Sequence, residues 1–152
     1  MNYRKTDIAI LLIRLILGIV FLAHGAQKVF GLFGGHGLQA TVQFMTKNGM
    51  PVVIPYLVSF GELAAGVGFI FGFLTRIAAA GMFLEMLGGV FLIHWKNGFF
   101  MNWEGNLKGE GFEYTLTLCV ICLALVISGA GAYSIDASMR KTPDPNVVLQ
   151  RS

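Results

Sequence analysis

Four apolar runs, each close to the roughly 20 residues that carry a helix across about 30 Å of hydrocarbon, constrain this chain more than any motif does. They cover residues 8–30, 53–74, 77–95 and 114–135, and between the second and third stands only Thr75-Arg76, enough for a tight helical hairpin. In lipid every backbone N–H and C=O must be paired within the protein, so only helices and closed barrels cross. These runs are rich in Leu, Phe and Ala and lack strict alternation, which predicts helices rather than barrel strands.

The expected fold class is therefore all-α: an integral membrane four-helix bundle. Composition agrees, with 55% hydrophobic and only 12% charged residues, about half the charged share of a soluble domain. The net charge of +3 lies in short flanks between apolar runs, not along one face. That is a topology signal, and no nucleic-acid partner is expected. The first run begins after Arg4-Lys5 but is too long for a signal-peptide core, and no small-x-small cleavage site follows it; it reads as a retained helix.

An even number of crossings places both termini on one side with Arg4, Lys5, Arg76, Arg140, Lys141 and Arg151, against Lys47, Lys96 and Lys108 on the other. This bias predicts an inner-membrane protein with both termini in the cytoplasm. The two longer loops then share the outer face. Leu38, Val42 and Met45 recur at helical spacing in the first, with Gly49-Met50-Pro51 as the stop, which predicts a short interfacial helix. The second loop is rich in aromatic residues, and together the two are expected to lid an outward-facing cavity. The four-helix domain is placed at 1–136 and a polar tail at 137–152.

Ionisable side chains inside a bilayer cost at least ~2.5 kcal/mol each and usually face a partner or a polar cavity. Arg14, His24 and Lys28 of the first helix fall within an arc of about 80° on the helical wheel, one polar stripe. Glu62 and Glu85 are the expected countercharges. His24, Lys28, His94 and Glu113 gather toward the outer end, although His94 falls on the opposite side of its helix from Glu85. Glu62, His24 and Glu113 are the candidate catalytic groups, and Arg14, Lys28, Glu85 and His94 the candidate substrate-binding groups. Each has a structural alternative: an Arg14–Glu pair that locks helix register, a Lys28 that snorkels to headgroups, an interfacial His94. Helical glycines at 66, 68, 72, 81, 88 and 89 read as packing positions. His24, His36 and His94 have no metal-ligand spacing, so no metal is expected. Cys119 and Cys122 have redox-dithiol spacing, but they stand in a run of Leu, Val and Ile that favours inert thiols.

The run Arg14-x-x-x-Gly18-x-x-Phe21-x-x-His24-Gly25-x-x-Lys28-x-x-Gly31, followed by Gly61-Glu62 and Leu74-Thr75-Arg76, resembles the DoxX family of small bacterial membrane proteins. His94-Trp95-Lys96-Asn97-Gly98, Gly109-Glu110-Gly111-Phe112-Glu113 and Gly129-Ala130-Gly131-Ala132-Tyr133 extend the resemblance over about residues 8–136. It implies kinship with the large subunit of thiosulfate:quinone oxidoreductase, and so a membrane redox component, or a subunit of one, that takes quinone or a small sulfur anion. Quinone is the expected co-substrate, with no tightly bound cofactor. The expected partners are the lipid bilayer, a redox partner subunit and further copies of the chain. The competing class is a non-enzymatic scaffold, assembly partner or permeation protein.

Overall fold

The computed structural model describes residues 4–140, and among them every regular element is a helix. In chain order these are α1 (Lys5–Phe30), α2 (Gly37–Lys47), α3 (Val53–Phe71), α4 (Thr75–Gly88), α5 (Glu113–Ser128) and α6 (Ile135–Met139). Beyond Gly88 the fourth helix runs on as a π-helical turn (Gly89–His94) and a 3-10 turn (Trp95–Asn97). The helices α1, α3, α4 and α5 form the bundle. Three segments are long and apolar enough to cross a membrane: Lys5–Phe30, Val53–Phe71 and Thr75–Asn97. At 16 residues, α5 is shorter, about 24 Å by helical rise.

α1 and α3 pack most closely, and small residues allow it. A Cβ built on Gly66 would stand 2.6 Å from the backbone nitrogen of Leu22, and one on Gly25 would stand 2.7 Å from that of Leu63. Lipid supplies no hydrophobic drive between helices, so this close backbone approach is where packing attraction is gained. Gly81 and Gly88, expected to pack in the same way, meet nothing within 4 Å. The core between the helices holds Leu17, Phe21, Phe69, Ala79, Met82, Cys122 and Leu125, while the exposed Leu12, Ile16, Ile19, Leu57, Ile77 and Ile127 form the outer face.

Several helix boundaries differ from those the apolar runs predict. The third run begins at Thr75 rather than after Arg76: Gly72 ends α3 at φ 66°, and Leu74 also takes a left-handed conformation at φ 50°. The carboxylate of Asp136 then accepts hydrogen bonds from Leu74 N (2.8 Å) and Thr75 N (2.9 Å), satisfying the first donors of α4. The helix of the fourth run, α5, stops at Ser128, not 135, because Gly129 and Gly131 take φ 76° and 71° and turn the chain back. Asp7 accepts a hydrogen bond from Ala132 N at 3.0 Å, joining the start of α1 to that returning loop. The start of α1, the α3–α4 turn and α6 therefore share one end of the bundle.

The opposite end carries α2 and the loop over residues 98–112. α2 is amphipathic as its spacing predicts, with Leu38, Val42 and Met45 half-buried and Gln39, Gln43 and Lys47 exposed. In the loop, Phe112 N and Glu113 N donate to Gly98 O and Phe99 O. Trp95 stacks on Phe112 at 5.2 Å between ring centroids. These contacts hold the loop over the end of the bundle.

Candidate functional site

A cavity of about 840 Å³ lies at this end, within the range of small-molecule sites. Its sides are α1, α3, α4 with its π-helical turn, and the first turns of α5; α2, Met50, Met101 and Glu110 cover it. Both loops thus contribute to the cover. The wall is mainly apolar, with Phe21, Ile54, Val58, Met86 and Leu118 among its residues. Leu84 and Leu92 also line it, yet remain 65% and 75% exposed on the outer surface of the bundle. They mark an apolar rim on the outside of the bundle.

The polar groups of the cavity are concentrated. Lys28 Nζ on α1 lies 2.5 Å from Glu62 Oε2 on α3, with Glu62 buried and Lys28 partly so. Glu85 on α4 lines the same cavity, close enough to Glu62 for the two carboxyl groups to interact. Three helices therefore meet in a cluster of one ammonium and two carboxyl groups. His24 lies one helical turn from Lys28 and is exposed within the cavity. The first residues of α5 add Tyr114 to the same wall.

His94 is on the cavity too, although α-helical geometry would turn it away from Glu85. The reason is the π-helical turn over Gly89–His94. Its wider hydrogen-bonded ring changes the angular phase of the helix, and the Gly88-Gly89 pair weakens the α-helical preference where the change begins. His94 Nδ1 lies 2.9 Å from the carbonyl oxygen of Glu110, which fixes the ring at the cavity mouth.

Arg14 is placed elsewhere, correcting the expectation of an Arg14–Glu pair. It stands ten residues before His24, about 15 Å along the axis, and lines no part of the cavity. The side chain is 1% exposed. Its Nε donates to Phe69 O at 2.6 Å, Nη1 to Ala130 O, and Nη2 to Tyr133 O at 3.0 Å and Ile70 O at 3.3 Å. Phe69 and Ile70 belong to the last turn of α3, whose carbonyls lack helical partners and carry the negative end of the helix dipole. The buried cation is held by these peptide oxygens, and among the described residues no carboxylate hydrogen-bonds to it.

Glu113 is likewise outside the cavity wall: its Oε1 accepts from Met101 N at 2.8 Å and shapes the loop. The next residue, Tyr114, faces the cavity instead. Sequence reasoning favoured the carboxylate and passed over the tyrosine; its signal was an amphipathic side chain opening an apolar helix at the membrane interface. Glu110 was also missed as a rim residue. Cys119 and Cys122 are buried free cysteines, the former donating to Phe83 O at 3.8 Å. Among the described residues, no group of three or more His, Cys, Asp or Glu is arranged to hold a metal.

Comparison with known proteins places this geometry in a family. The chain is 34% identical over 122 residues to CatD of Bacillus subtilis (strain 168), an oxidoreductase by provisional designation, covering 80% of this chain and 81% of CatD. It is 33% identical over 135 residues to the inner membrane protein YqjF of Escherichia coli (strain K12), covering 89% and 95%. It is 27% identical over 147 residues to the uncharacterized membrane protein Rv3486 of Mycobacterium tuberculosis, covering 88% and 82%. No solved structure matches the chain. The DoxX family model matches residues 9–95, which span α1 to the π-helical turn and carry His24, Lys28, Glu62, Glu85 and His94. The chain is a membrane protein of the DoxX family.

Proposed function

We propose that this protein is a membrane redox component that binds a quinone in the cavity between α1, α3 and α4. The observation that carries this reading is the combination of an apolar wall, an exposed apolar rim at Leu84 and Leu92, and one polar cluster at Lys28, Glu62 and Glu85. A quinone has the matching shape of an apolar tail with a small head bearing two hydrogen-bond acceptors. The tail would leave over the rim toward lipid. The head would lie against the cluster, with His24 and Tyr114 in reach as proton-transfer groups. The oxidoreductase designation of CatD points to the same class of chemistry.

A small sulfur anion such as thiosulfate is the reductant proposed with it. Two thiosulfate ions join through a new S–S bond and release two electrons; the quinone takes these with two protons to become a quinol. The single cation of the cavity wall is already engaged by Glu62, so the anion is assigned to the mouth or to a partner subunit, not beside the quinone head.

The test is purification in mild detergent, mass spectrometry of extracted lipid for quinone, and thiosulfate-dependent reduction of a soluble quinone analogue. Co-purified quinone that falls in Glu62→Gln is the expected result. If none co-purifies and no analogue binds, the reading fails, and the Lys28–Glu62 bridge between α1 and α3 is better taken as the tie of a scaffold.

A further inference from the structure

The charge count of the cluster is unbalanced. Lys28 engages one oxygen of Glu62, Glu85 meets the same glutamate, and Arg14 is committed to backbone carbonyls at the other end of the bundle. One ammonium therefore faces two carboxyl groups in a mainly apolar wall. Two neighbouring carboxylates in such a wall cannot both ionise without a further positive charge beside them. The other ionisable groups of the surroundings are His24 on α1, Tyr114 and Cys122 on α5, and His94, His36 and Glu110 nearer the mouth. None supplies a fixed positive charge.

We infer that Lys28, Glu62 and Glu85 form a proton-holding cluster, in which the two carboxyl groups share one proton and Glu85 hands it to the ligand bound in the cavity. The shared proton rests on the residues lining the cavity and their charge count; delivery to a ligand rests on the quinone reading. In the transfer the O–H bond at Glu85 breaks as an O–H bond forms on a quinone oxygen, leaving a second carboxylate beside Lys28. Water at the mouth returns a proton by way of His24, and a second round supplies the second proton of the quinol. The two electrons come from the sulfur-anion reductant. Lys28 sets the number of protons held, by offsetting one carboxylate permanently.

Dicyclohexylcarbodiimide tests this on the full chain in liposomes at neutral pH, because it couples to protonated carboxyls in apolar surroundings. Peptide mass spectrometry of the wild-type protein should find the adduct on Glu85 or Glu62. In Glu62→Gln the remaining carboxylate is balanced by Lys28 and needs no proton, so labelling of Glu85 should fall about tenfold or more. In Lys28→Met no cation remains, and both glutamates should label. Wild-type protein labelled at neither position overturns the cluster, and needs no variant to fold. Glu85 labelling indifferent to both variants, in protein that elutes as a single species, also overturns it. A quinone analogue should protect the wild-type carboxyls. Labelling that follows the charge count without protection would keep the shared proton and reject delivery to quinone.

Discussion

Arg14 and Lys28 lie on one face of one helix, yet their partners differ in kind. Lys28 has a carboxylate, and Arg14 has the carbonyls of Phe69, Ile70, Ala130 and Tyr133. Arg14→Met should therefore leave buried carbonyls at the end of α3 unpaired, at about 2–4 kcal/mol, since a hydrogen bond to a charged group contributes ~1.5–3 kcal/mol. The expected outcome is a lower Tm in detergent with quinone binding preserved in the protein that remains folded. Glu62→Gln should do the reverse: it keeps the size and much of the hydrogen-bonding capacity but loses the ion pair, so binding falls more than stability. Both variants need thermal unfolding and quinone-analogue titration on the same preparations. Equal loss of stability with intact binding in both would make Glu62 a structural countercharge. Glutamates at 62 and 85 were legible as candidates because intramembrane charge is rare; the carbonyl cage of Arg14 was not, because peptide oxygens leave no mark in a sequence.

Among the elements, the α1–α3 contact is the tightest and the most sensitive to added volume. Gly66→Ala would press a methyl group onto the backbone of Leu22 at 2.6 Å, where neither helix can yield without separating. Overpacking of this kind costs about 1–3 kcal/mol. Gly81→Ala on α4 meets open space and should leave the Tm unchanged or raise it slightly, through better helix propensity. A Gly66→Ala protein as stable as the wild type would refute the close-packing account. Helical glycines look alike in a sequence, and only the facing helix distinguishes a contact from a lipid-exposed position. The π-helical turn is a similar case: a glycine pair permits it, but only the folded chain shows that the turn forms and brings His94 onto the cavity.

At the scale of the whole molecule, both described ends of the chain lie at one end of the bundle and the cavity lies at the other. Arg4, Lys5, Arg76 and Arg140 are at the first end and Lys47, Lys96 and Lys108 at the second, while Lys141 and Arg151 lie outside the described residues. The positive-inside bias then predicts a cytoplasmic end bearing both termini and a cavity that opens outward. Cysteines introduced singly at Ser152 and Asn48 test it, with the native cysteines replaced: an impermeant reagent on intact cells should label Asn48→Cys and spare Ser152→Cys. The opposite pattern would invert the orientation and bring the cavity mouth to the cytoplasm. The sequence by itself determined the helical class, the approximate spans and the amphipathic α2, because hydrophobic length and periodicity are properties of contiguous residues, and its motifs carried the family resemblance. It also marked His24, Lys28, Glu62 and Glu85 as costly in lipid. Only the tertiary structure decided which charge met which partner, because a helix projects its side chains in every direction and the neighbours that select among them come from other segments. That selection split the α1 stripe, joining Lys28 to Glu62 and Glu85 while sending Arg14 to the carbonyls that close the opposite end.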